Sequence, residues 1–493
     1  MRGGGLLRVV AATAAGAGLV VAAGGNPPTL DLARASDASA ASVAAAPAAR
    51  VALSCPGPDR PGVRGLPDAD QSVTVITAAA PSELIGENRS GATGSGDQPP
   101  PGASSVEALS VPGAAALRGA ATRPGATSPV ALDGPRGLDL MAQGPVATGY
   151  SAVQVGLDRA PSVRGLGLVP CTTPAAESYL LAGSADEGRS ERLVLTNPAP
   201  NPVTARVSVL GGAAPQDVVV PARSREVVVL GSIDDRATDP VVKVTADRGA
   251  VSAAMVETDF AGAVPRGSDV TAAAAAPDTD QLVPAAVVTR DGAASLRVGV
   301  PGAEDAVVRV SVLGSGAQTY DDVVQTVPGG SAATIRLPGL APGRYAVRLR
   351  ADTPVVAASH SVGVSDRSRP TDSMWLPAAA PVRGLAGVAV PQVPQGRAEL
   401  VLSAPDGPRR VTVGTVDAAG RLTTRTVTVA DGGATTLDVR TARAVWVRPS
   451  GGAVGAALVV SGRDGEQPLL AGVPLVEATG VTSVVDAAQA PRR

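Results

Sequence analysis

"RVSVLG" occupies residues 206–211, the same six letters return at 309–314, and a variant, "RVTVGT", begins at Arg410. One strand-like segment is thus written three times, about a hundred residues apart. The flanking segments repeat with it. "RLVLTNPAPNPVTARVSVLG" from Arg192, "LRVGVPGAEDAVVRVSVLG" from Leu296 and "ELVLSAPDGPRRVTVGTV" from Glu399 each read as strand, proline turn, strand, with Pro198, Pro301 and Pro405 in the turn. Proline fixes its own φ and lacks the donor that a central strand needs.

Two further pairs of strands follow in each copy. The first is "VVVPARSREVVVL" (218–230), "VVQTVPGGSAATIRL" (323–337) and "VTVADGGATTLDV" (427–439). The second is "KVTADRGAVSAAMV" (243–256), "VRLRADTPVVAASH" (347–360) and "VWVRPSGGAVGAALV" (445–459). All read as hairpins, with Gly329-Gly330 and Gly432-Gly433 supplying positive φ. Six or more alternating strands in each hundred residues predict an all-β chain of tandem immunoglobulin-like β-sandwich domains. Propeller blades are shorter, with four strands each.

The expected boundaries are 171–281, 282–382 and 383–480. A divergent N-terminal copy is expected over 51–170, where "VALSCPGP" (51–58) echoes "LVLTNPAP", "QSVTVI" (71–76) echoes the quoted strand and "GPVATGYSAVQV" (144–155) echoes the last strand pair. Within that copy, residues 86–137 are small, polar and rich in Pro and Gly, and are expected to be a disordered insertion. Residues 26–50 read as a linker and 481–493 as a tail.

The N-terminus carries Arg2 and Arg8 ahead of an apolar run from Val9 to Ala23. Such a run suits a signal peptide, or a signal anchor, over residues 1–25. An exported, extracytoplasmic chain is expected, secreted or anchored at the outer face of the cell membrane. If the segment is retained, it contacts or anchors in that membrane. Cys55 and Cys171 are the only cysteines. In an oxidising compartment they are expected to form a disulfide, closing a loop of about 116 residues worth roughly 4–5 kcal/mol on the loop-entropy model. Reduction is expected to lower the melting transition of the N-terminal part and to leave the two C-terminal copies largely unchanged.

Composition excludes more chemistry than it supports. Net charge is −2, so no global field favours nucleic acid. Lys243 is the single lysine and no glycine loop precedes it, which removes a Walker A site and leaves a Schiff base without a supporting motif. His360 is the single histidine, and the repeat alignment sets it where sister copies carry Val256 and Val459, an ordinary strand position rather than a catalytic one. No zinc set exists, and "DAD" (68–70) and "DTD" (278–280) do not continue into a calcium loop. Glu304 and Asp305 are adjacent turn residues, an unsuitable pair for glycoside hydrolysis. The seven aromatics, among them Tyr179, Tyr345, Trp375 and Trp446, read as core anchors, and the sequon at Asn88 carries little weight. No catalytic, metal or cofactor site is expected.

The signal-like start, "SCPGP" (54–58), "ESYLLAGSADEGRSERLVLTNPAPNPVTARVSVLG" (177–211) and "VPARSREVVVL" (220–230) together resemble an uncharacterised family of actinobacterial secreted proteins known only as a domain of unknown function. The resemblance covers most of the chain after residue 50. It implies an envelope or extracytoplasmic protein and transfers no catalytic residue. The expected function is that of a non-enzymatic cell-envelope scaffold or binding module whose partner is an envelope protein or glycan. The alternative is an enzyme, or enzyme accessory, acting on envelope glycan. A pocket gathering two carboxylates with an aromatic or arginine wall would favour that alternative.

Overall fold

The computed structural model describes residues 42–43, 50–59, 72–86, 104–160, 163–184, 188–262, 264–290, 293–315, 322–337, 339–363, 371–478 and 485–486. The signal-like segment, nearly all of the linker and tail, Asp68, Asp70 and Asn88 lie outside them. Two short strands, β1 (Ser42–Val43) and a last one (Val485–Asp486), pair antiparallel in a unit of their own. Residues 44–483 form the other unit, which holds four β-sandwiches.

Domain 2 sets the pattern. It comprises β9 (Glu177–Leu180), β10 (Arg189–Asn197), β11 (Val203–Val209), β12 (Gln216–Val220), β13 (Ser224–Val229), β14 (Val242–Asp247), β15 (Ser252–Ala261) and β16 (Val264–Ala272). These eight occupy positions A to H in chain order. One sheet runs D-C-F-A (β12-β11-β14-β9) and the other E-B-G-H (β13-β10-β15-β16). Alternation in β11, "VTARVSV", buries Val203, Ala205, Val207 and Val209 and turns Arg206 to solvent. Leu193, Leu195 and Met255 meet them from the opposing sheet.

Domain 4 repeats the plan with β24 (Ala386–Ala389), β25 (Arg397–Ala404), β26 (Arg409–Val416), β27 (Leu422–Val429), β28 (Gly433–Asp438), β29 (Ala444–Ser450), β30 (Gly455–Asp464) and β31 (Gln467–Pro474). Domain 3 has β17 (Asp278–Val288), β18 (Ala293–Gly299), β19 (Ala306–Leu313), β20 (Val323–Val327), β21 (Ala332–Arg336), β22 (Gly343–Val362) and β23 (Ser373–Pro377). Here positions F and G are one continuous strand. The first part of β22 pairs with β17 and β19, and its last part with β18 and β23.

Domain 1 follows the same topology with position D missing. Its strands are β2 (Arg50–Cys55), β3 (Ser72–Ala79), β4 (Ser105–Val111), β5 (Thr127–Asp133), β6 (Gly137–Gln143), β7 (Tyr150–Ala160) and β8 (Val163–Pro170). The sheets are β2-β6-β4 and β5-β3-β7-β8. A one-turn helix, Ser82–Gly86, follows β3. In place of strand D, residues 115–117 turn back on β4 through a single bridge, Leu109 to Ala116. The closing pair of the chain, β1 with β32 (Val485–Asp486), stands outside this plan.

Several expectations change. Segment 51–58 occupies position A, not B, so the echo in domain 1 is displaced by one strand. A strand ending in Pro-Gly or Asn-Pro is written at both positions. Residues 86–137 are not a disordered insertion throughout: β4, β5 and the start of β6 lie inside it. Averaged composition hides two short amphipathic strands that bury Ala108, Val111, Val130 and Leu132. In domains 2 and 4 the strand pairs read as hairpins are arches, because their two strands lie in opposite sheets, and in domain 3 the pair read at 347–360 is the single strand β22. Period-two alternation gives a strand its buried face but not its sheet. The true hairpins join C to D and G to H.

The repeated arginines, Arg206, Arg309 and Arg410, all lie exposed on strand C. Arg206 pairs with Asp217 on the neighbouring strand and Arg309 with Asp322 just before it, at 3.0 and 3.2 Å. Cys55 and Cys171 are bonded, with Cα atoms 4.4 Å apart. The bond ties the end of β2 to the segment leaving β8, beside a bridge from Ser54 to Thr172.

The four sandwiches close into a ring. Strand H of each domain lies against strand H of the next, β8 on β16, β16 on β23, β23 on β31 and β31 on β8. Three of these joints run parallel: Gly165 and Gly167 face Ser268 and Val270, Gly267 faces Asp372 while Asp269 reaches Trp375, and Gly472 faces Met374 while Leu470 reaches Asp372. The closing joint has an apolar core. Ala78, Ala80, Leu84, Leu166 and Leu168 of domain 1 join the core of domain 4.

Candidate functional site

Polar side chains concentrate in two places, the hub where the H strands meet and the seams between domains. At the hub, Asp372 is fully buried. Its Oδ2 accepts the amides of Leu166 and Leu470, each at 2.9 Å, and its Oδ1 that of Ser373 at 3.1 Å. Asp269 accepts the Trp375 amide at 2.6 Å and that of Val270 at 2.8 Å. Burial pushes the Asp269 carboxyl up to about 8, against the pull of those amides. Burial likewise raises Asp372 well above the usual carboxylate range. Ser268 donates to Asp158 at 2.9 Å, and Gln467 donates through Nε2 to the Thr371 carbonyl.

The turn end of the hub opens as a polar cleft of about 370 Å³ between domains 1 and 4. Asp158, Arg159, Arg164, Asp464, Glu466 and Gln467 line it. Arg159 pairs with Asp464 across it at 2.7 Å. Mixed charge and an open mouth suit hydrogen bonding to a hydroxyl-rich or zwitterionic ligand.

An arginine stands at each seam. Between domains 1 and 2, Arg225 donates to the carbonyls of Pro56 and Pro58 at 2.7 and 2.9 Å, and Arg192 pairs with Asp59. Between domains 3 and 4, Arg348 lies between Asp280 and Asp406. Between domains 2 and 3, Arg297 pairs with Asp239 at 3.1 Å and sits 4.7 Å above the Trp375 ring.

The last of these seams carries the densest cluster. Glu257 accepts Arg189 on one oxygen, and on the other the Gly183 amide at 2.9 Å and the Trp375 indole at 2.8 Å. Glu191 accepts the Ser184 amide at 2.9 Å, and burial beside the Glu257 charge pushes its carboxyl up to about 7. His360 stacks on Trp375 with centroids 4.3 Å apart. Burial pushes its imidazole down to about 4, and its Nε2 has no hydrogen-bond partner. Two carboxylates, two arginines, a histidine and a tryptophan thus gather here, which sequence did not reveal because they come from five strands spread along the chain.

The remaining singled-out residues have local roles. His360 pairs with Ser295 just as Val256 pairs with Arg192 and Val459 with Glu399, so the three share one position on strand G. Lys243 pairs with Glu177 at 2.8 Å and lies 5.4 Å from the Tyr179 ring. Asp278 accepts the Asp280 amide at the start of β17, and Asp305 accepts that of Gly329 at 2.9 Å. Glu304 is exposed. Tyr179, Tyr345, Trp375 and Trp446 are buried anchors. Among the described residues no three or more His, Cys, Asp or Glu side chains come together as a metal set, and no helix is long and apolar enough to cross a membrane.

No curated protein matches the chain. Among solved structures, a tetra-tandem repeat from the extending region of a large adhesion protein is 16% identical and covers 77% of this chain and 93% of its own. Its TM-score is 0.10. At that score the likeness carries no argument. The model of a family of unknown function, DUF5719, matches residues 120–440, about two thirds of the chain. That span runs from the middle of domain 1 to just past β28 of domain 4, and the chain belongs to this family.

Proposed function

We propose that this protein is an exported, non-enzymatic component of the cell envelope that acts as a rigid scaffold or binding module. It would bind through the polar cleft at the turn end of the hub. One observation carries this reading: the buried charged groups are engaged in joining domains. Asp269, Asp372, Arg225 and Arg297 each bond the backbone of a neighbouring sandwich, and Glu257 bonds the Trp375 indole of one. Such pairing fixes the geometry of the joints. The disulfide favours an oxidising compartment. Lectin-like recognition of envelope glycan fits the mixed donors and acceptors of the cleft.

A second reading, an enzyme or accessory acting on envelope glycan, is favoured by the Glu191–Glu257 cluster with its arginine and tryptophan wall. Incubating the purified chain with isolated envelope glycan separates the two. The scaffold reading expects retention on the polymer, weakened by Arg164→Ala or Glu466→Ala, and no soluble fragments. Release of fragments, abolished by Glu191→Gln, would establish the enzyme instead. Export is checked by locating the tagged protein in the envelope or medium, and a cytoplasmic location would defeat that part of the proposal.

A further inference from the structure

We infer that Asp372 is the latch of the ring, a single carboxylate that holds the one domain joint lacking a covalent link. Chain segments 171–176, 273–277 and 378–385 connect domains 1 to 2, 2 to 3 and 3 to 4. No chain segment joins domains 4 and 1, which meet through a shared apolar core and the Arg159–Asp464 pair at the cleft. Asp372 belongs to neither. It precedes β23 in domain 3, yet its Oδ2 takes one amide from β8 of domain 1 and one from β31 of domain 4.

Leu166 and Leu470 both lie on edge strands. In a continuous sheet their outward N–H groups would find carbonyls on a further strand. Here one side chain replaces that strand for both domains at once. The chemistry requires an acceptor-only group. A carboxylate oxygen has two lone pairs and can receive both amides, whereas an amide nitrogen at that position would present hydrogens to them. Glycines of domains 1 and 2 supply the space. A Cβ on Gly267 or on Gly165 would stand 2.6 Å from the Asp372 Oδ1. All four domains therefore contact this carboxylate, and it bonds the two that no chain segment connects.

Hydrogen exchange of the full chain, wild type against Asp372→Ala, tests the inference. Amides in β8 and β31 should exchange at least about tenfold faster in the variant, the size expected for losing a buried charged acceptor, while β11 and β26 stay as protected as before. Asp372→Asn keeps one oxygen and should show the same two-strand pattern at smaller amplitude, so it serves if the alanine variant does not fold. Unchanged protection in β8 and β31 would overturn the latch. So would loss of protection across all four domains together, or failure of both variants to fold, because the residue would then sustain the whole body rather than one joint.

Discussion

At the hub, the smallest residues decide how closely four strands approach. Gly165 and Gly267 have φ of +148° and +127°, and each would push a Cβ into Asp372. Gly165→Ala or Gly267→Ala is expected to cost about 2 kcal/mol or more, from backbone strain and overpacking together. Gly231→Ala, which meets nothing within 4 Å, should cost far less. Denaturant unfolding of the three variants checks the contrast. The recurrence "RGLG" (164–167) and "RGSD" (266–269) was the one sequence signal of this approach. It was indistinct among 58 glycines.

The buried acids also set a pH dependence. Asp269 is raised to about 8, Glu191 to about 7 and Asp139 to about 6, in each case first by burial. A carboxyl with a raised folded-state pKa binds its proton more tightly when folded, so stability falls as pH rises from its unfolded value through its folded one. His360, lowered to about 4, works in the opposite sense between about 4 and its ordinary value of 6.5. Three acids outweigh one imidazole, and above pH 6.5 the imidazole no longer contributes. The melting temperature should therefore fall between about pH 4 and 8, and Asp269→Asn should make that slope shallower. A wild-type melting temperature that rises across this range would contradict the assignment.

Among the elements, the strands themselves were legible and their partners were not. Alternation and turn residues placed strand C three times correctly, since each inward valine or alanine has a polar neighbour facing solvent. The same alternation could not distinguish a hairpin from an arch. In domain 1 it was diluted further, because strand D is reduced to a bridge and the intervening segment is dominated by small polar residues. The disulfide was legible from cysteine count alone, but its reach was not. Domain 1 contributes Leu84, Leu166 and Leu168 to the core of domain 4. Reduction is therefore expected to loosen β31 as well as β2 and β8, rather than to leave the C-terminal domains untouched. Exchange measured with and without reductant decides this: unchanged β31 would mean that domain 4 holds its closing face without help.

For the whole molecule, the repeat explains four similar sandwiches but not their closure. The seams depend on single residues from different copies, such as Arg297 on Trp375 or Asp372 on Leu166, and no periodic pattern announces contacts of this kind. The proposed function rests on that closure, since a ring presents its turn-end cleft in a fixed geometry whereas a string of flexibly linked sandwiches would not. Small-angle scattering from residues 44–483 tests it most directly. A closed body of this length should have a radius of gyration of about 22 Å. Four sandwiches strung in a line, each of about 110 residues, would give roughly 40 Å by the same scaling applied per domain. A value near the first is the predicted result, and one near the second would contradict the ring.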